Sequence, residues 1–190
     1  MKTKLLGTVL ILAMCSSCET ADETFAIETP DNYRDKETTK AYTTNSAKSS
    51  DYQTYKNIVS SFVYDNDQSY AQNIDRFEAH VNQLIADKTA SYEAIDKEQL
   101  ELLTAANENF IDELDYSTTF KAALYELVYM DMQFVPMLNS PTESNLLNTL
   151  FEMYNDDDKQ NGNRTIAFAY GAQYNLTQAI LYAGAVELRR

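Results

Sequence analysis

The chain has 190 residues, of which 44% are hydrophobic, enough for one domain with a core and some preceding sequence. Its 4 glycines and 3 prolines favour long helices over a turn-rich β protein. A formal net charge of -14 argues against nucleic acid as a partner, because phosphate binding needs clustered lysines and arginines. A basic partner, a cation or simple solubility remain as interpretations of that charge.

The first seventeen residues have the pattern of an export signal. Lys2 and Lys4 are followed by an apolar run from Leu5 to Met14. Ten residues rise only about 15 Å as a helix, roughly half the hydrocarbon core. The run is therefore predicted to be a cleaved signal peptide and not a membrane span.

The segment that follows, Cys15-Ser16-Ser17-Cys18, resembles the lipobox of bacterial lipoproteins. Lipoprotein signal peptidase requires small residues before the cysteine that is modified, and two serines precede Cys18. Bulky Met14 precedes Cys15, although Leu12 suits the third position before it, so Cys15 stays the alternative. The resemblance implies cleavage after residue 17 and a diacylglycerol thioether on Cys18, often with a third, amide-linked chain.

Acyl chains of this kind would hold the protein durably at a membrane. The acidic residues Glu19, Asp22 and Glu23 resemble the signal that sends some lipoproteins of the Bacteroidota to the cell surface. The two resemblances together imply a lipid-anchored protein of the cell envelope, on the outer membrane, with surface display slightly favoured over a periplasm-facing position.

Residues 18–50 are predicted to be a lipidated, flexible tether. Thr, Ser, Asp, Glu and Lys dominate this segment, and its apolar residues follow no period. Such a sequence cannot bury enough apolar area to offset its ordering entropy. A coil of this length would separate its ends by about 30 Å on average.

Residues 51–190 are predicted to be a single all-α domain. The clearest apolar stripe, from Tyr70 to Ile85, recurs every three or four residues. Two further helices are predicted from Asp96 to Leu114 and from Ser117 to Val135, where Pro136 should kink or end the latter. Helix start signals lie at these positions: Ser50 or Asp51, Asp96 with Gln99, Ser117, and Ser140-Pro141-Thr142-Glu143. The pattern predicts five or six helices in one antiparallel-leaning bundle.

The last predicted helix, Arg164–Arg190, is the longest and carries no charge from Thr165 to Val186. Its length would suffice for a membrane span. Polar side chains such as Gln173 and Asn175 point in several directions around it, however, and lipid would meet some of them. The favoured interpretation is the buried centre of the bundle.

The sequence contains few of the residues that catalysis or metal binding would use. After processing no free thiol remains, and His80 is the only imidazole, without a motif around it. An EF-hand alignment of the acidic run that begins at Asp156 places Lys159 and Phe168 at ligand positions, so the calcium motif is not met. No metal and no cofactor are predicted.

Asp131 is the most suggestive polar residue, because it falls at an inward step between Leu127 and Phe134. If it faces inward, Tyr170, Gln173 and Tyr174 are its candidate neighbours in a small ligand pocket. A stripe that leaves Asp131 at the rim, or a core network without a ligand, is the alternative.

The function predicted from these observations is a non-enzymatic binding or interaction module with a protein or small-molecule partner. The alternative is an acidic inhibitor or immunity-type lipoprotein that neutralises a basic toxin or hydrolase. A hydrolase with paired carboxylates is least favoured, because the sequence shows no convergent acid pair.

Overall fold

The protein is all-helical in the part that its structure describes. A computed structural model describes residues 49–85, 92–130, 132–156 and 161–189. Within these ranges the chain forms eight α-helices, which confirms the all-α prediction. Their bounds are α1 Ser50–Ser61, α2 Tyr70–Ile85, α3 Lys97–Thr104, α4 Glu108–Glu113, α5 Thr118–Tyr129, α6 Pro141–Asn155, α7 Gly162–Ala172 and α8 Leu176–Leu188.

The structure has eight helices instead of five or six because two predicted helices are each interrupted by an asparagine cap. The side chain of Asn107 accepts a hydrogen bond from the backbone N–H of Asn109 at 3.0 Å and starts α4. Likewise, Asn175 accepts from the N–H of Gln178 at 2.8 Å and starts α8. Asparagine is among the best N-cap residues, so each can begin a new helix inside an otherwise apolar pattern.

The last apolar segment is therefore a helical hairpin, α7–α8, and not one long helix. Gly171 makes the hairpin tight: a Cβ there would lie 2.5 Å from the backbone nitrogen of Ala179. The two helices are buried along most of their length. Helix α7 contacts α3, α5 and α6, while α8 contacts α1, α2 and α3. The predicted central position is confirmed, and among the described helices none is long and apolar enough to cross a membrane.

Helix α2 packs on α8 as the predicted stripe requires. The ring of Phe77 is fully buried and lies where a side chain on Gly184 would stand, 2.2 Å from the position of its Cβ. At one end of this contact, the hydroxyl of Tyr70 donates to the carbonyl of Ala185 at 2.9 Å. A small residue on α8 thus lets a large one on α2 fill the core.

Helix starts were predicted more accurately than helix ends. Asp96, Ser117 and Ser140 are N-caps as predicted, whereas α1 is capped by Ser49 and not by Ser50 or Asp51. At this last start signal, the N–H of Glu143 donates to the Oγ of Ser140 at 3.3 Å, which is one half of a capping box. Glu143 accepts from the backbone nitrogen and hydroxyl of Ser117, at 2.8 and 2.6 Å, and so ties the start of α6 to that of α5.

The prediction that α5 extends to Val135 is wrong, because the helix ends at Tyr129. The hydroxyl of Tyr154, on α6, donates to the carbonyl of Val128 at 3.2 Å and satisfies one of the terminal acceptors. Phe134, which the prediction placed on the inner face of the helix, is 77% exposed. The segment after α5 consequently presents apolar side chains to solvent.

Candidate functional site

Three of the predicted site residues lie at the α7–α8 turn. The side-chain oxygen of Gln173 accepts from the backbone nitrogen of Asp115 at 2.6 Å, and its amide nitrogen donates to the carbonyl of Tyr170 at 3.0 Å. Tyr174 is exposed, and its hydroxyl lies 3.3 Å from that of Tyr170. The other two predicted site residues, Asp131 and the lipidation candidate Cys18, lie outside the described residues.

The ring of Tyr170 belongs to an aromatic cluster at this turn. It makes edge contacts with Tyr182, Tyr174 and Phe110, at centroid distances of 5.1, 5.6 and 6.1 Å. Burial, followed by the hydrogen bond with Tyr174, raises the pKa of Tyr170 well above its usual range. With Gln173 bonded to backbone on both sides, these contacts fasten the turn to α4 and α8.

A large cavity lies elsewhere, between α1, the end of α6, the start of α7 and the end of α8. We call it the α1 cleft; its volume is about 980 Å³, at the upper end of the range for small-molecule sites. Three tyrosines, three cations and two carboxylates are among its lining residues. These are Tyr52, Tyr55, Tyr64, Lys56, Arg164, Arg189, Asp156 and Glu187.

Arg164 anchors the inner wall of the α1 cleft. Its side chain is only 5% exposed, its Nη2 donates to the carbonyl of Met153 at 2.7 Å, and its Nη1 lies 3.5 Å from the Oε2 of Glu187. The same oxygen of Glu187 accepts a hydrogen bond from the hydroxyl of Tyr55. Side chains from α1, α7 and α8, with a carbonyl of α6, therefore meet in one polar network.

A second polar group stands at the outer wall. Asp156, at the end of α6, accepts from the hydroxyl of Tyr52 and pairs with the ammonium of Lys56. Burial and the neighbouring carboxylates raise the pKa of Tyr52 and of Tyr55 well above the ordinary value for a phenol. Both phenols are therefore protonated at neutral pH, and they act as hydrogen-bond donors and not as bases.

The α1 cleft thus brings two carboxylates, Asp156 and Glu187, into one cavity, an arrangement that the sequence did not predict. Each carboxylate already accepts from a tyrosine and lies beside a cation. Both contacts fall on one oxygen of each carboxylate, Oδ2 of Asp156 and Oε2 of Glu187. The geometry is that of two anchors for the walls of the cleft.

The mouth of the α1 cleft differs from its inner wall. Lys56 and Arg189 have side chains that are 51% and 45% exposed. Val59 and Tyr64, which also line the cavity, are half-buried and supply apolar surface between them. One signal for this wall was present in the sequence, because one side of the first helix carries Tyr52, Tyr55, Lys56 and Val59. Nothing local indicated that Arg164 would be buried against it.

The single histidine also has a serine neighbour, which raises the question of a nucleophilic pair. The Oγ of Ser61 lies 2.9 Å from the Nε2 of His80. The hydroxyl of Ser61 donates to the carbonyl of Ile58 at 2.8 Å, however, and Nε2 is itself 3.3 Å from that carbonyl. The hydroxyl and the imidazole thus meet at one backbone carbonyl, and the pair closes the C-terminal turn of α1.

Within the described ranges no group of three or more His, Cys, Asp or Glu residues could hold a metal ion. No family model, curated protein or solved structure matches the chain. The function proposed below is accordingly argued from the residues of the α1 cleft and from the N-terminal sequence.

Proposed function

We propose that this protein is a cell-envelope lipoprotein, anchored to the outer membrane through Cys18, whose helical domain is a non-enzymatic binding module. The observation that carries the binding role is the α1 cleft, a cavity of about 980 Å³ lined by aromatic and charged side chains. Ligand sites combine apolar and aromatic walls with polar groups that fix the orientation of the ligand, and the α1 cleft contains both kinds of side chain. The resemblance of the N-terminus to a lipobox supports the anchor.

The charges at the mouth favour an anionic ligand. Lys56 and Arg189 pair with Asp156 and Glu101, at or near the surface. Such exposed pairs contribute only about 0–1 kcal/mol, so an anionic ligand can replace them at small cost. The lining of the cleft holds three cations against two carboxylates, in a chain whose net charge is -14. Together with Val59 and Tyr64, they suit a small organic anion that carries a ring.

Thermal unfolding of the full-length chain in the presence of D-glucuronate tests this proposal, with D-glucose as the neutral match. We expect glucuronate to raise the unfolding temperature and glucose to leave it unchanged. Lys56→Glu and Arg189→Glu should each abolish the shift, whereas Lys97→Glu, an exposed cation on α3, should retain it. Equal shifts with both sugars, an equal shift in all three variants, or no shift in the parent chain would contradict the proposal.

Labelling cells with radioactive palmitate tests the anchor independently of the ligand. The parent chain and Cys15→Ala should incorporate label, and Cys18→Ala should not. Unchanged labelling of Cys18→Ala, or loss of label in Cys15→Ala alone, would refute the choice of cysteine. Protease treatment of intact cells then separates surface display, in which the domain is digested, from a periplasm-facing position.

A further inference from the structure

A second surface, different in composition from the α1 cleft, lies along α5. Two adjoining cavities of about 420 and 230 Å³ follow the helix and continue past its end. They share Glu126 and Met130 and therefore adjoin, and we call the two together the α5 groove. From Thr118 to Met130 the groove follows the helix for about 18 Å, the length of a three-turn helix.

Apolar side chains at the α5 groove are unusually exposed. Met130, Phe134 and Met137 are 65%, 77% and 97% exposed, and the first two line the groove. Buried Ile111 contributes to the floor. Clustered exposed apolar residues of this size mark interaction surfaces in soluble domains. Methionine is adaptable and serves well where a partner's side chains must be accommodated.

The charges along the same groove are acidic. Glu108, Asp112 and Glu126 line it, with Lys121 as the cation among them. The ammonium of Lys121 donates to the backbone carbonyl of Asp112 at 2.8 Å, at the end of α4, so three carboxylates stand against one ammonium along the groove. An apolar groove with an acidic border selects against anionic surfaces and for a cationic, amphipathic occupant.

We propose that the α5 groove binds a basic amphipathic helical segment of a protein partner. The apolar face of that segment packs against Met130 and Phe134, and its lysines or arginines pair with Glu108, Asp112 and Glu126. The length of the groove suits a segment of about twelve residues. A membrane surface is the other occupant to consider, but phosphate headgroups would be repelled by the same carboxylates. This inference depends on neither the α1 cleft nor the lipid anchor.

The chain contains no tryptophan, so Phe134→Trp introduces a single emission reporter in the groove of the full-length protein. The probe is a synthetic fourteen-residue helix of Leu and Lys with all its leucines on one face. We expect saturable binding, with a blue shift of the emission, which weakens as salt rises. In the reporter background, Glu126→Lys should weaken binding at least tenfold, while Glu98→Lys, an exposed acid on α3, should change it less than twofold.

Two peptides of matched length separate the two parts of the proposal. A peptide with glutamate in place of every lysine of the probe should not bind. A peptide with serine in place of every leucine should bind with at least tenfold lower affinity. Leu102→Trp, an exposed reporter on α3, should show no shift with the Leu–Lys peptide. Equal binding of all three peptides, equal effects of Glu126→Lys and Glu98→Lys, or no binding would overturn the proposal. A blue shift of Phe134→Trp with neutral phosphatidylcholine vesicles, but not with the peptide, would assign the groove to a membrane surface and overturn it as well.

Discussion

Gly171→Ala tests the α7–α8 hairpin, on which both the core and the α1 cleft depend. A Cβ at residue 171 would lie 2.4 Å from the carbonyl oxygen of Gln178 and 2.5 Å from the backbone nitrogen of Ala179. Ordinary contacts of this kind begin near 3.4 Å. Because the atoms in the way belong to the backbone, no side chain can rotate aside, and α8 would have to move by about 1 Å.

The expected loss of stability follows from two opposing effects. Alanine in a helix is favoured over glycine by up to about 1 kcal/mol. Overpacking a tight core costs about 1–3 kcal/mol, and an immovable backbone places this contact at the upper end. The net loss should be about 2 kcal/mol, which corresponds to a fall in unfolding temperature of about 4–8 °C for a domain of this size.

Two other glycines provide a graded comparison. A Cβ on Gly184 would lie 2.2 Å from the ring of Phe77, which is buried and can shift only as a unit. A Cβ on Gly162 would lie 2.6 Å from one methyl group of Val128, which can rotate away. Gly184→Ala should therefore cost about 1–2 kcal/mol, and Gly162→Ala less than about 1 kcal/mol.

Urea unfolding followed by circular dichroism measures all three variants against the parent chain. The sign of the Gly171→Ala effect is decisive. In one continuous helix, residue 179 would stand about 12 Å along the axis from residue 171, and alanine would stabilise the protein. A Gly171→Ala chain as stable as its parent, or more stable, would refute the hairpin.

Three further predictions follow from individual contacts. Burial raises the pKa of Tyr70 to about 12, so the stability that its protonated hydroxyl provides is present below pH 10 and lost between pH 10 and about 12. In urea titrations, Tyr70→Phe should lower the free energy of unfolding by about 1 kcal/mol at pH 7, and that free energy should fall less between pH 10 and about 12 than in the parent chain. The same fall in both chains over this range would contradict the prediction. Arg164→Met should lower the free energy of unfolding by about 2–4 kcal/mol, because it leaves Glu187 and the carbonyl of Met153 without the guanidinium; a loss below about 0.5 kcal/mol in the same assay would count against a structural role. Asn175→Ala should cost about 1 kcal/mol and Asn175→Asp much less, since aspartate also caps helices; equal losses in the two variants would exclude capping as the cause.

The sequence predicted those features of the fold that local chemistry determines. The apolar stripe of α2 and the caps at Asp96, Ser117 and Ser140 depend on residues within one or two turns, and the structure confirms them. The break at Asn175 was also readable in principle, because an asparagine followed three residues later by Gln178 has the form of a cap. The absence of charge from Thr165 to Val186 outweighed that signal.

Other features depend on residues far apart in the chain. The early end of α5 involves a hydrogen bond from the hydroxyl of Tyr154, on the next helix, to the carbonyl of Val128. The α1 cleft joins Tyr55 to Glu187 and Lys56 to Asp156, partners separated by at least 100 positions. No period or spacing in the sequence could indicate such pairs. For the same reason, the sequence led to the α7–α8 turn as a candidate site instead of to the α1 cleft.

The claim that the α1 cleft is a ligand site is tested most directly by isothermal titration calorimetry of D-glucuronate against the parent chain and Val59→Trp. Val59 is half-buried in the wall, and an indole at that position would occupy the cavity. We predict saturable one-to-one binding by the parent and none by Val59→Trp, while the helical circular dichroism of the two chains stays the same. Equal binding by both chains, or no binding by the parent, would contradict the account.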